Sequence, residues 1–73
     1  MLDKLTGMRA FVVVVQTGSF VAAADRLGMS PQMVARHIAT LEKQLETRLL
    51  NRTTRRQSLT PAGSLYYSRC ETI

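Results

Sequence analysis

The stretch over residues 19–45 most constrains the fold of this chain. It contains two short segments with apolar residues at helical spacing, separated by Gly28 and Met29. Gly28 can end the first segment in a left-handed conformation at little steric cost. Ser30 and Pro31 open the second, since serine caps helices and proline is tolerated at the first helical position, where its missing N–H would be unpaired anyway. The pattern predicts a helix-turn-helix, a unit whose second helix can enter a DNA major groove.

The residues before this stretch also show helical spacing. The apolar positions are Leu2, Leu5, Met8, Phe11, Val12 and Val15. A buried strand over 11–15 is the alternative, because β-branched residues favour sheets. The spacing begins upstream of that run, and Gln16-Thr17-Gly18 ends it as a helix end would. We therefore expect a helix from about Asp3 to Gln16.

The two helices of the central stretch have distinct apolar and polar sides. Ser19 can cap the first, whose apolar face comprises Phe20, Ala23, Ala24 and Leu27. The second is expected to bury Val34, Ile38, Leu41 and Leu45. Its predicted polar side carries Gln32, Met33, Arg36, His37, Thr40, Lys43 and Gln44.

After the third helix the pattern changes. Residues 51–58 have no helical periodicity and lie between apolar residues, which predicts two very short strands joined by a basic loop, called a wing. Thr60 and Pro61 then repeat the cap-and-proline signature of a helix start. One stripe of this last helix comprises Ala62, Leu65, Tyr66, Cys70 and Ile73. No stop signal follows, so the sequence reads as a fragment of a longer protein.

The charge is positive and unevenly placed. Ten Lys and Arg residues face five Asp and Glu residues, giving a net charge of +5. No acidic residue lies between Glu46 and Glu71, and four arginines fall within the nine positions 48–56. Such a chain favours polyanionic partners, either nucleic acid or an anionic membrane surface.

Other function classes find little support in the sequence. A single cysteine cannot form an internal disulfide, the start does not resemble a secretory signal, and the apolar run 10–15 is too short to span a membrane. We expect a cytoplasmic protein. The one histidine, His37, and Cys70 lie far apart in the sequence, and the glycines are isolated, so we expect no metal, no cofactor and no enzyme activity.

Residues along nearly the whole chain have the order and spacing of a known family. They are Phe11, Gly18-Ser19-Phe20, Ala23-Ala24, Leu27, Ser30, Val34, Ile38, Leu41-Glu42, Leu45, Leu49, Arg52, Arg55, Leu59-Thr60 and Ala62-Gly63. This set resembles the N-terminal DNA-binding domain of LysR-type transcriptional regulators. The resemblance implies a mainly α winged helix-turn-helix: a three-helix core, a short two-stranded wing and the start of a linker helix. It places the DNA-binding domain at residues 1–60 and the linker and dimerisation helix at 61–73. The effector-binding domain of the family is absent from this chain.

Candidate DNA-binding residues follow from that docking geometry. Gln32 can pair with adenine, Arg36 with guanine, and Met33 can touch a thymine methyl, with His37 beside them. The helix start at Ser30 and Pro31 can bind phosphate. Arg52, Arg55 and Arg56 would hold the backbone or reach the minor groove. The alternatives are a solvated polar face, simple capping and solubilising charge.

Two further expectations concern assembly and departures from the family pattern. A homodimer through the final helix would use Leu65, Tyr66, Cys70 and Ile73. The family usually has Ser at Ala35, Gly at Glu46 and Phe at Leu50. Since a non-glycine left-handed cap costs about 1–2 kcal/mol, we expect the third helix to run on past Glu46 or to end differently.

The leading hypothesis is sequence-specific binding of double-stranded DNA by a dimeric bacterial transcription regulator. The runner-up is a basic helical protein-interaction module that uses the stripe of the final helix. Attachment to a membrane surface ranks last, because the arginines fall in a predicted loop rather than on an amphipathic helix.

Overall fold

The structure, a computed structural model, describes residues 4–52 and 57–72 and shows a mainly helical fold with a small antiparallel sheet. The elements in chain order are α1 (Lys4–Thr17), α2 (Phe20–Leu27), α3 (Pro31–Leu45), β1 (Leu50–Arg52), β2 (Gln57–Leu59) and α4 (Pro61–Glu71). The expected winged helix-turn-helix is therefore confirmed. Each helix in the described part of the chain falls short of the length and apolar character that a membrane-spanning helix needs.

The core lies where α1 packs against α2 and α3. Its largest fully buried side chains are Phe11, Val14, Val34, Ile38, Leu41, Leu49 and Leu50. The helix expected over 3–16 is confirmed to within one residue at its end, while Asp3 lies outside the described residues. The strand alternative for 11–15 is wrong, because those residues form the middle of α1.

The turn between α2 and α3 has the predicted chemistry. Gly28 is left-handed, with φ 72° and ψ 34°, and ends α2. The Ser30 hydroxyl accepts a hydrogen bond from the backbone N–H of Met33 at 3.2 Å, and Pro31 follows it at the helix start. Ser19 caps α2 in the same way by accepting from the N–H of Ala22 at 3.1 Å. These caps satisfy N–H groups that a helix start leaves unpaired.

The end of α3 corrects one expectation. Glu46 ends this helix in the left-handed conformation, with φ 55° and ψ 36°, and it is the one non-glycine residue with positive φ among those described. The prediction that the helix runs on or ends differently there is wrong. The N–H of Thr47 donates to the carbonyl of Glu42 at 3.1 Å, which completes a hydrogen-bonded C-terminal motif.

The wing and α4 follow immediately. The strands pair antiparallel, with Leu50 opposite Leu59 and Asn51 opposite Ser58. Thr60 caps α4 by accepting from the N–H of Gly63 at 2.9 Å, as its sequence signature predicts. The residues 53–56 that join the strands lie outside the described part of the chain.

Candidate nucleic-acid interface

The N-terminal end of α3 presents a polar surface to solvent. Ser30, Gln32 and Arg36 are exposed, and Pro31 and Met33 are half-buried. The opposite side of the helix packs into the core through fully buried apolar residues. Since the core holds one side of α3 in place, the exposed side is available to a partner along the first turns of the helix, where helix-turn-helix proteins approach base edges.

His37 does not belong to that surface. Its side chain is only 6% exposed, and its Nδ1 atom has no hydrogen-bond partner among the described residues. The prediction that placed it on the polar side with Arg36 is therefore wrong. The spacing could have revealed this, because positions 34, 37, 38 and 41 form the i, i+3, i+4, i+7 pattern of a core face.

The remaining DNA-binding candidates lie in the wing. Arg52 is in β1, but its side chain, like all of Arg55 and Arg56, lies outside what the structure describes. Their contribution to the interface stays a prediction from sequence. Arg48, immediately before the wing, is exposed, as is Lys43 in the last turn of α3.

A junction between α3, the wing and α4 is a feature that the sequence patterns do not predict. One carboxylate oxygen of Glu42 accepts hydrogen bonds from the backbone N–H of Leu49 at 2.8 Å and of Leu50 at 3.1 Å. The carbonyl of Leu49 accepts from the N–H of Thr60 at 3.0 Å, and the Thr60 hydroxyl donates to the carbonyl of Arg48 at 2.6 Å. The available signal in the sequence is that Glu42 is the one acidic residue within α3.

The predicted dimerisation stripe is divided between two surfaces. Leu65 is 60% exposed and lines a groove of about 370 Å³ together with Tyr66 and Leu45. The ring of Tyr66 also packs against Phe11 of the core, with ring centroids 5.7 Å apart. Cys70 is half-buried in a second groove, against α1.

The last points concern Ile73, the chemistry of the Cys70 thiol and a possible metal site. Ile73 lies outside the described residues, so its place in the stripe stays a prediction. Burial raises the pKa of the Cys70 thiol, which leaves less of it as the nucleophilic thiolate at neutral pH. Within residues 4–52 and 57–72, no three His, Cys, Asp or Glu side chains come together as a metal site.

The sequence of this chain is similar to those of bacterial helix-turn-helix regulators. Residues 5–64 match the family described as bacterial regulatory helix-turn-helix protein, lysR family. An HTH-type transcriptional repressor of Pseudomonas aeruginosa is 51% identical over 72 residues, which are 99% of this chain and 23% of that protein. The HTH-type transcriptional activator AaeR of Escherichia coli is 44% identical over 69 residues, 94% of this chain and 22% of AaeR. This chain thus spans about a quarter of the length of the curated relatives it matches.

Solved structures share the fold. The crystal structure of BenM_DBD with benA site 1 DNA superposes with a TM-score of 0.89 at 37% identity, covering 93% of this chain and 76% of that one. The CbnR_DBD–DNA complex gives a TM-score of 0.86 at 31% identity, over 92% of this chain and 77% of that one. Both of these neighbours were solved bound to DNA.

Proposed function

Because this chain belongs to the lysR family of bacterial regulatory helix-turn-helix proteins, we propose that it binds double-stranded DNA sequence-specifically and regulates transcription in the bacterial cytoplasm. The relatives it matches are named as transcriptional regulators, and we propose that this chain acts as a regulator and not as an enzyme. The observation that carries the proposal is the exposed polar end of α3, whose opposite side is packed into the core.

Base readout falls to the first turns of α3. Arg36 can donate two hydrogen bonds to guanine, and Gln32 can pair with the donor and acceptor of adenine in the major groove. Met33 offers an apolar surface to a thymine methyl. Ala35 carries no hydroxyl, so this position contributes shape rather than a hydrogen bond. His37 is buried and therefore lies outside the proposed contacts.

Phosphate contacts position the domain. The start of α3 at Ser30 and Pro31 carries the partial positive charge of a helix N-terminus, which favours an anionic group. The Ser30 hydroxyl already caps the helix, but its remaining hydrogen-bonding capacity and the neighbouring N–H groups can meet a phosphate. We propose from sequence that Arg52, Arg55 and Arg56 contact the backbone or the minor groove from the wing.

We also propose a homodimer through α4. The exposed Leu65 and the adjoining groove, which Tyr66 also lines, supply apolar surface for self-association. We propose from sequence that Cys70, which lies in the groove against α1, and Ile73 contribute as well. A dimer requires two half-sites spaced by about 34 Å or multiples of that distance, one helical turn of DNA. We propose that a small-molecule effector would act through a part of the protein other than these 73 residues.

A second candidate function rests on the same surface. Leu65, Leu45 and Leu49 line an open, mainly apolar groove that an unrelated protein could occupy. In that case the positive charge would serve solubility alone. This basic protein-interaction module would bind its partner with little dependence on salt.

Duplex binding across a salt titration tests the proposal. The full chain is first used to select bound sites from random duplex DNA, and the affinity for a selected site is then measured by fluorescence anisotropy at several salt concentrations. We expect log K to fall linearly with log salt, by about 0.9 per phosphate neutralised. A flat dependence, or no duplex binding at low salt, would favour the protein-interaction module instead.

A further inference from the structure

The two parts of the proposed interface, α3 and the wing, are joined through one side chain. The carboxylate of Glu42 accepts the N–H groups of both Leu49 and Leu50, at 2.8 and 3.1 Å. Leu50 is the first residue of β1, so the hydrogen bonds lie at the base of the wing. We propose that Glu42 is a positioning residue for DNA binding: it fixes the wing on α3 so that both meet the duplex in one geometry.

The position of Glu42 on the helix suits this role. It lies six residues after Arg36, about 9 Å further along the helix axis, and so away from the bases that the first turns would contact. It contributes through the residues it holds and needs no contact with DNA. This role rests on the proposed function, because positioning has meaning only if α3 and the wing bind the same partner.

The two N–H groups depend strongly on this carboxylate. The side chains of Leu49 and Leu50 are each about 1% exposed, and the hydrogen bonds from their backbone N–H groups to Glu42 are partly buried. A backbone N–H that is removed from water and has no acceptor is unfavourable. The segment with Leu49 and Leu50 therefore stays where the carboxylate of Glu42 can accept from it. A charged acceptor makes both hydrogen bonds stronger than a neutral one would.

The other side of the same peptide segment is also fixed. The carbonyl of Leu49 accepts from Thr60, and a side chain at Gly63 would collide with that carbonyl oxygen, so α4 approaches it as closely as a glycine permits. Leu49 is thus held from α3 through its N–H and from α4 through its carbonyl. Loss of the hydrogen bonds to Glu42 would let the wing shift relative to α3, while the hydrogen bond from the N–H of Thr60 still holds the carbonyl of Leu49.

Two substitutions of Glu42 distinguish the effect of side-chain length from the effect of side-chain charge. Glu42→Asp keeps the charge but removes about 1.5 Å of reach, one methylene. Glu42→Gln keeps the reach and an accepting oxygen but loses the charge. If Glu42 acts by positioning, Glu42→Gln binds DNA within about threefold of the wild type, since neutral hydrogen bonds are weaker but present. Glu42→Asp binds about tenfold more weakly, as expected when partly buried N–H groups lose their acceptor.

The salt dependence distinguishes positioning from general destabilisation. In Glu42→Asp, a wing that no longer faces the duplex neutralises fewer phosphates. The slope of log K against log salt then becomes shallower, by about 0.9 for each phosphate that is no longer neutralised. A variant that is merely less folded has fewer active molecules but the same slope. Amide hydrogen exchange, followed by NMR without DNA, should show faster exchange at Leu49 and Leu50 while core amides of α1 stay protected.

Glu71 offers a matched control, because it is exposed at the end of α4 and allows the same chemical changes far from the wing base. Glu71→Asp and Glu71→Gln should leave affinity and slope unchanged. Equal slopes in wild type and Glu42→Asp, or Glu42→Gln weaker than Glu42→Asp, would overturn the inference. Failure of the wild type itself to bind duplex would instead overturn the proposed function, and the inference with it.

Discussion

Replacing Glu46, the left-handed residue at the end of α3, by glycine should stabilise the protein. Glu46 is left-handed there, with φ 55° and ψ 36°, a conformation that costs a residue with a Cβ about 1–2 kcal/mol and costs glycine nothing. Against this, glycine loses about 0.5–1 kcal/mol more conformational entropy on folding. Removing a negative side chain from a helix C-terminus raises the free energy of unfolding by about 0.3–1 kcal/mol, because the C-terminus is the negative end of the helix dipole. We expect Glu46→Gly to raise the free energy of unfolding by about 1 kcal/mol, taking these together.

Two control variants isolate the backbone contribution. Glu46→Ala removes the same charge but keeps the Cβ, so it should gain only the helix-dipole part, about 0.3–1 kcal/mol. Gly28 has nearly the same conformation, with φ 72° and ψ 34°, and no atom within 4 Å of where a Cβ would lie. Gly28→Ala therefore introduces conformational strain without a clash and should lower stability by about 1 kcal/mol.

Urea and thermal unfolding followed by circular dichroism measure these differences. For a chain of this size, about 1 kcal/mol shifts the melting temperature by about 4–8 °C. The urea midpoint should move while the m-value stays constant, because the surface exposed on unfolding is unchanged. If Glu46→Gly proves no more stable than Glu46→Ala, the strain of the left-handed conformation does not exceed the extra conformational entropy that glycine loses on folding, and the reasoning fails.

Three further predictions test packing, readout and a buried hydroxyl. Gly63→Ala should destabilise the fold by at least about 2 kcal/mol in urea unfolding, because its Cβ would collide with the backbone of Leu49 rather than with a movable side chain. Arg36→Ala should lower the affinity for a selected site more than that for random duplex, whereas Arg55→Ala should weaken both about equally; equal losses in anisotropy titrations would contradict these roles. Tyr66→Phe should unfold at the same or higher urea concentration, because the hydroxyl is buried without a hydrogen-bond partner among the described residues. Burial, followed by the nearby Cys70, raises the pKa of Tyr66 above 10.0, so the wild type should lose stability as the pH rises above about 10, and Tyr66→Phe should lose less.

Local chemistry explains why much of the fold is predictable from the sequence. Ser19, Ser30 and Thr60 each accept from the N–H three residues ahead, as their positions before apolar or proline-led segments indicate. Each such cap depends only on neighbouring residues, so no knowledge of the packed structure is needed. The valines of α1 show the same principle, since helical spacing over the whole segment outweighs their preference for strands.

The candidate site is less predictable where tertiary contacts decide the role of a residue. The chemical type of His37 suggests the polar side, although its spacing from Val34 and Leu41 places it on the core face. Glu42 matches the family pattern without revealing its role, because its partners at Leu49 and Leu50 are seven and eight residues away, across a turn. The close approach at Gly63 likewise depends on where α4 meets the wing.

The strain at Glu46 and the hydrogen bonds of Glu42 belong to the same reversal of the chain. The left-handed residue turns the backbone so that the N–H of Thr47 returns to the carbonyl of Glu42, while the N–H groups of Leu49 and Leu50 reach its carboxylate. A conformation that is unfavourable by about 1–2 kcal/mol persists only where the surrounding structure determines it. Here three hydrogen bonds to Glu42, from the N–H groups of Thr47, Leu49 and Leu50, hold the turn in this conformation. The turn therefore brings the wing back against α3, and the hydrogen bonds to Glu42 hold both sides of the turn together although Glu46 is left-handed.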